Sequence, residues 1–113
     1  MSKRDNTLLL EDIHEAGTKI KTYIDGYTYS EFLKDDKTID AVVRNLEIIG
    51  EASTRIESDF KFEHPEIPWN QLRGLRNRII HEYFGIDLEI VWTIIVEPMD
   101  ELIDWIEAIL TNN

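Results

Sequence analysis

Ile39-Asp40-Ala41-Val42-Val43-Arg44-Asn45-Leu46-Glu47-Ile48-Ile49-Gly50-Glu51-Ala52-Ser53-Thr54-Arg55-Ile56 is the stretch that decides how this chain folds. Ile39, Val42, Val43, Leu46, Ile49 and Ile56 line one face, while Arg44, Glu47 and Glu51 run along another. Apolar residues three and four apart meet on one side of an α-helix, so the stretch predicts an amphipathic helix. Asp35 or Asp36 stands ready to cap it. The same period continues on either side. Upstream, Leu9, Ile13, Ala16, Ile20, Tyr23 and Ile24 predict a first helix over about residues 6–25, stopped at Gly26. Thr28 followed by Glu31 fits a capping box that opens a short helix through Phe32 and Leu33. Downstream, the two prolines between Asp59 and Pro68 predict a loop. Pro68 suits the start of a third helix from Trp69 to Phe84, which Gly85 ends. Asp87 then caps a last helix reaching Leu110, which Pro98 kinks or divides by removing a backbone donor. Strand alternation is absent. The expectation is an all-α antiparallel bundle of four main helices plus a short extra helix, with residues 1–113 as one domain.

The bulk numbers bound the function. Hydrophobic content of 42% with 31% charged residues is ordinary for a globular protein and too apolar for disorder. There is no cysteine, which excludes a disulfide framework and a thiolate metal site. The apolar run Ile90–Val96 is far too short to span a bilayer, and Glu11 and Asp12 interrupt the leucines that could have formed a signal sequence. A cytoplasmic location and no membrane partner are expected. The formal net charge of -11 opposes nucleic acid as a general partner, DNA included, because affinity for a polyanion comes chiefly from neutralised phosphates. RNA would have to be engaged locally.

One place permits that. Arg73-Gly-Leu-Arg76-Asn77-Arg78-Ile-Ile-His81-Glu82-Tyr83-Phe84 sets three arginines within six residues, and Phe62 to Asn113 holds no other Lys or Arg. Arginine forks bind phosphate, and histidine moves protons near neutral pH. On an ideal helix Arg76 and His81 lie about 140° apart. Either the helix is distorted there, or a second subunit completes the pocket across a two-fold axis. The dimer is favoured, because it doubles the local positive charge.

The chemistry such a pocket suits is metal-independent RNA cleavage. His81 would serve as base on a ribose 2′-hydroxyl, as acid on the leaving 5′-oxygen, or, with its symmetry mate, as both. Arg76 would hold the phosphate, and Asn77 would orient the imidazole or a phosphate oxygen. Arg73 and Arg78 remain candidates for contact with substrate or partner. His14, among Glu11, Asp12 and Glu15, reads as a solvated residue, and His64 precedes Pro65 in the predicted loop. His81-Glu82 begins like a zinc-protease helix motif, but Gly85 stands where the second ligand should be, so no metal is expected. No phosphate-cradling glycine loop occurs, and no cofactor is called for.

At these residues the chain resembles the HEPN superfamily, specifically the HepT-like toxins of prokaryotic toxin–antitoxin pairs. Their signature of Arg, four residues, His, one residue, Tyr is met by Arg76 to Tyr83, with the polar Asn77 directly after the arginine. Ala41–Ala52, Pro65–Trp69 and Tyr83–Trp92 also look like family segments. The resemblance implies a dimeric helical bundle with ribonuclease activity in which Arg76 and His81 are catalytic and Asn77 supports them. It also implies a partner, a minimal nucleotidyltransferase antitoxin that transfers AMP from ATP onto Tyr83, with higher assembly of the pair conceivable. Bulk and negative charge on that phenol would sit where a substrate phosphate belongs. Two other functions compete: a non-catalytic dimer that partners a nucleotidyltransferase or binds its substrate, and a plain helical scaffold.

Overall fold

A computed structural model describes residues 3–81 and 85–112, with side chains from Asp5 to Ile80 and from Gly85 to Asn112. Helix α1 spans Lys3–Tyr23, α2 Tyr29–Leu33, α3 Asp36–Arg55, α4 Ser58–Glu63, α5 Trp69–Arg73 and α6 Leu75–Ile79. Two-residue strands come next, β1 Ile80–His81 and β2 Gly85–Ile86, then α7 Leu88–Val96 and α8 Pro98–Thr111. The class is all-α. Helix α3 packs most extensively on α1 and also against α5 and α6, while α8 lies against α1 and α7. Val42, Leu46, Ile49, Ile20 and Ile106 are wholly buried in the shared core. No helix among the described residues is long and apolar enough to cross a membrane.

Most helix ends obey the local chemistry read above. The α1 chain leaves its helix through Gly26 at φ 77°, a left-handed position that costs a residue with a Cβ about 1 kcal/mol or more. The Thr28 hydroxyl accepts from the Glu31 amide at 3.1 Å and the Glu31 carboxylate accepts from the Thr28 amide at 2.9 Å, completing the capping box. Of the two candidate caps for α3, Asp35 serves: its Oδ1 accepts from the Thr38 amide at 3.0 Å. Asp87 caps α7 through the Ile90 amide at 3.1 Å. Pro98 divides the last helix at the first turn of α8. Lys21 bridges the division, donating to the carbonyls of Ile95 and Val96 at 3.1 and 3.3 Å and pairing with Asp100 at 3.2 Å.

Two expectations need correction. Ser58–Glu63 forms α4, which takes up the first half of the predicted loop Asp59–Pro68, because Pro65 and Pro68 both lie beyond its end and restrict only the backbone near themselves. The predicted third helix from Trp69 to Phe84 is not one helix. It steps at Gly74 (φ -90°, ψ 8°) and ends at Ile79, where Ile80 turns extended at φ -106°, ψ 125°. There the Ile79 carbonyl accepts from the Asp87 amide at 2.6 Å, and Ile80 pairs antiparallel with Ile86 and His81 with Gly85. Cross-strand pairing of the β-branched Ile80 and Ile86 displaces the helix at Ile80 and His81. Strands of two residues are too short for alternation to reveal.

Gly50 fixes the approach of α3 to α5. A Cβ there would stand 3.1 Å from the Leu72 carbonyl oxygen, which is backbone and cannot swing away. Gly50→Ala gains about 1 kcal/mol of helix propensity but meets an overpacking cost of about 1–3 kcal/mol. A net loss of stability in urea unfolding is expected; a stabilised variant would show that the close approach imposes no constraint.

Asp35 makes the fold sensitive to acid. Its carboxylate accepts from the Tyr27 hydroxyl at 2.5 Å and from the Thr38 hydroxyl at 2.7 Å, and these bonds, with the Thr38 amide, hold its pKa down to about 2. A carboxylate depressed in the folded state stabilises it above the unfolded pKa of about 3.9 and loses that contribution as pH falls toward 2. Melting temperatures of wild type and Asp35→Asn should therefore differ most near neutral pH and converge in acid. A gap independent of pH would assign the effect to shape rather than charge.

Candidate active site

The arginine cluster is positioned by the buried face beneath it. Trp69, Leu72, Leu75 and Ile79 are buried at three- and four-residue steps through α5 and α6, which leaves Arg73, Arg76, Asn77 and Arg78 exposed. The Gly74 amide bonds the Asn70 carbonyl and the Arg78 amide bonds the Gly74 carbonyl, so the helical rise carries across the step. Among the described residues no carboxylate lies within ion-pairing distance of Arg73, Arg76 or Arg78. In a chain with nearly twice as many acids as bases, three cations without a carboxylate partner among the described residues are a local reversal of potential.

The cluster divides between two sides. Arg73, whose guanidinium donates to Asn70 at 3.3 Å, borders a groove of about 780 Å³ formed with α4 and the loop after it. Arg78 borders a second groove of about 480 Å³ with Asp87, Glu89 and Thr93 of the α7 side. Five residues of helix separate the two, which accounts for the different sides. Arg76 and Asn77 lie between them. His81 comes next in β1, its backbone register set by Gly85 at φ 75°. The His81 side chain, Glu82, Tyr83 and Phe84 lie outside the described residues.

The helix-wheel separation of Arg76 and His81 therefore does not apply to this protein. Of the two ways out of that separation, distortion of the helix is the one observed, since the chain is extended from Ile80. The need for a second subunit does not follow from the wheel.

The other histidines have structural company. His14 Nε2 lies 3.8 Å from the Glu107 carboxylate, tying α1 to α8 when protonated. His64, at the C-terminal cap of α4, stacks on Phe60 at 4.5 Å between centroids and lies 3.4 Å from Glu66. No group of three or more His, Asp or Glu placed to hold a metal ion occurs among the described residues. Sequence reading passed over one cation: Lys61, on α4, lies in the same groove as Arg73. Burial, with Arg73 as a smaller cause, holds its ammonium below the ordinary lysine pKa. Its only sequence signal was the helical phase of α4, hidden inside what read as a loop.

Arg76-Asn77 in α6 thus stands ahead of an extended His81 in a predominantly helical fold. The family model described as HepT-like ribonuclease matches residues 13–109. Curated relatives agree. A Methanocaldococcus jannaschii protein named "Putative RNase" is 42% identical over 112 residues, covering 99% of this chain and 93% of its own. A Thermococcus cleftensis protein named "Probable ribonuclease HepT" is 45% identical over 100 residues, covering 88% of this chain and 91% of its own. A "Putative RNase" of Caldanaerobacter subterraneus is 38% identical over 87 residues, covering 77% and 78%. No solved structure matches. The chain belongs to the HepT-like ribonuclease family.

The exposed cluster carries a stability prediction of its own. Arg76→Ala removes neither a buried contact nor a described ion pair, so its unfolding free energy should stay within about 0.5 kcal/mol of wild type. A larger loss in chemical denaturation would make Arg76 a structural residue.

Proposed function

We propose that this chain is the ribonuclease toxin of a toxin–antitoxin pair, a metal-independent endoribonuclease acting as a homodimer. The observation that carries the reading is the exposed Arg76-Asn77-Arg78 turn, without carboxylate partners among the described residues, on a strongly acidic chain of the HepT-like family. Such a turn accepts a phosphodiester where the rest of the surface repels one. The RNase names of its relatives point to RNA as substrate.

In the proposed reaction His81 takes the proton of a ribose 2′-hydroxyl, whose oxygen forms a bond to the adjacent phosphorus. The bond to the 5′-oxygen breaks, and that oxygen receives a proton from an imidazolium, either His81 or its symmetry mate. The products are a 2′,3′-cyclic phosphate and a 5′-hydroxyl, and DNA, lacking the internal nucleophile, is not cut. Arg76 holds the phosphate and offsets the charge that grows on it, and Asn77 orients the imidazole or a phosphate oxygen. Silencing is by a minimal nucleotidyltransferase antitoxin that transfers AMP from ATP onto Tyr83, two residues from His81: the phenol oxygen bonds the α-phosphorus and pyrophosphate leaves.

Cleavage of RNA by purified dimer without divalent metal is the test. His81→Ala and Arg76→Ala should each lower the rate by about 10²- to 10⁴-fold while the protein stays folded. Cyclic-phosphate ends are expected. A folded wild type of unmodified mass that cuts no RNA, or a His81→Ala variant of full activity, would remove the catalytic assignment. Tyr83→Phe should remain active yet gain no AMP mass when incubated with ATP and the antitoxin.

A further inference from the structure

The groove between α4 and α5 holds a side chain that stability alone does not explain. Phe62 is 89% exposed, the most solvent-facing of the large apolar residues described. It projects at a groove of about 780 Å³ whose other walls include Lys61, Trp69, Asn70, Gln71 and Arg73. The groove floor is fixed. Trp69 is buried, its indole N–H donates to the His64 carbonyl at 3.0 Å, and Phe60 packs edge-on against it at 6.3 Å. Two cations share this groove with no carboxylate in ion-pairing distance among the described residues. Four acids flank lining residues in sequence, Glu57, Asp59, Glu63 and Glu66; none of them lines the groove, and Glu66 lies 3.4 Å from His64.

We propose that this groove binds a single-stranded segment of RNA flanking the cleaved bond, with Phe62 stacking a base and Lys61 and Arg73 holding a phosphate. An exposed aromatic ring beside cations is the arrangement that single strands use, because every base has a face to stack and every nucleotide brings a charge. Like charges placed together gain most from an anion between them. Arg73 belongs to the groove and stands three residues before Arg76, so a strand lying here leads directly to the proposed phosphate site. The ligand class rests on the ribonuclease reading, but the groove residues are distinct from the catalytic ones. Duplex RNA is a poorer fit, since its bases are already stacked and paired.

Fluorescence anisotropy with a 2′-O-methylated single-stranded oligoribonucleotide, which lacks the nucleophile and cannot be cleaved, tests the groove on the full chain. Phe62→Ala should weaken binding about tenfold. The pair Lys61→Gln and Arg73→Gln should lower the slope of log affinity against log salt by about 0.7, one phosphate contact's worth. Duplex RNA should be indifferent to Phe62→Ala. Dependence on Phe62 and Lys61 in a protein that cuts no RNA would keep the groove and sink the ribonuclease reading. Equal affinity of wild type and both groove variants overturns the proposal, as does a wild type that binds no single strand. A Phe62→Ala variant that binds RNA normally but sediments as a smaller species also overturns it, marking the groove as a contact between copies of the chain.

Discussion

At Gly50 the backbone of α3 comes so near α5 that a single Cβ would stand 3.1 Å from the Leu72 carbonyl. The approach matters because α3 is also the helix that packs most extensively on α1, so it transmits the position of the core to the short helices that carry the arginines. Five-residue helices do not hold themselves together, since nucleating a turn costs more than the few bonds return. α5 and α6 persist because Trp69, Leu72, Leu75 and Ile79 are buried against the rest of the core. The exposed arginines ride on that buried face and add nothing to it.

Electrostatics then acts on a fixed frame. The acids spread over the molecule keep polyanions away in general, and their field is screened within about 8–10 Å at ordinary ionic strength. Inside that distance the cations around α5 and α6, which have no carboxylate in ion-pairing distance among the described residues, dominate. A small positive region on an acidic body suits an activity that must be selective in what it touches: binding is confined to one place, and a negative group added beside it weakens it disproportionately. That is the physical logic behind the proposed control by a nucleotide attached near His81.

The end of α6 shows how tertiary contacts redraw a site. Had Trp69–Phe84 stayed one helix, Arg76 and His81 would face apart. The Asp87 amide instead takes the Ile79 carbonyl, Ile80 becomes extended, and His81 enters a short ladder with Gly85. The motif's spacing is therefore read through a helix-to-strand junction, and the relation between arginine and histidine is a property of that junction. Helix α4 has a similar effect, for it brings Lys61 and Phe62 to the side of Arg73.

The sequence by itself determined the all-helical class, the buried faces of α1 and α3, and the caps at Thr28, Asp35 and Asp87, because periodicity and capping are short-range effects that a few neighbouring residues decide. It also marked the arginine cluster and the family, since both are written in contiguous residues. Beyond its reach lay the features set by partners distant in sequence. Asp87 ends α6 from eight residues away, Leu72 constrains Gly50 across the core, and Lys21 on α1 bridges the break between α7 and α8. Local propensity favoured a continuous helix through His81 and a loop before Pro68. Long-range packing and hydrogen bonding overrode both, and with them decided where the cations point.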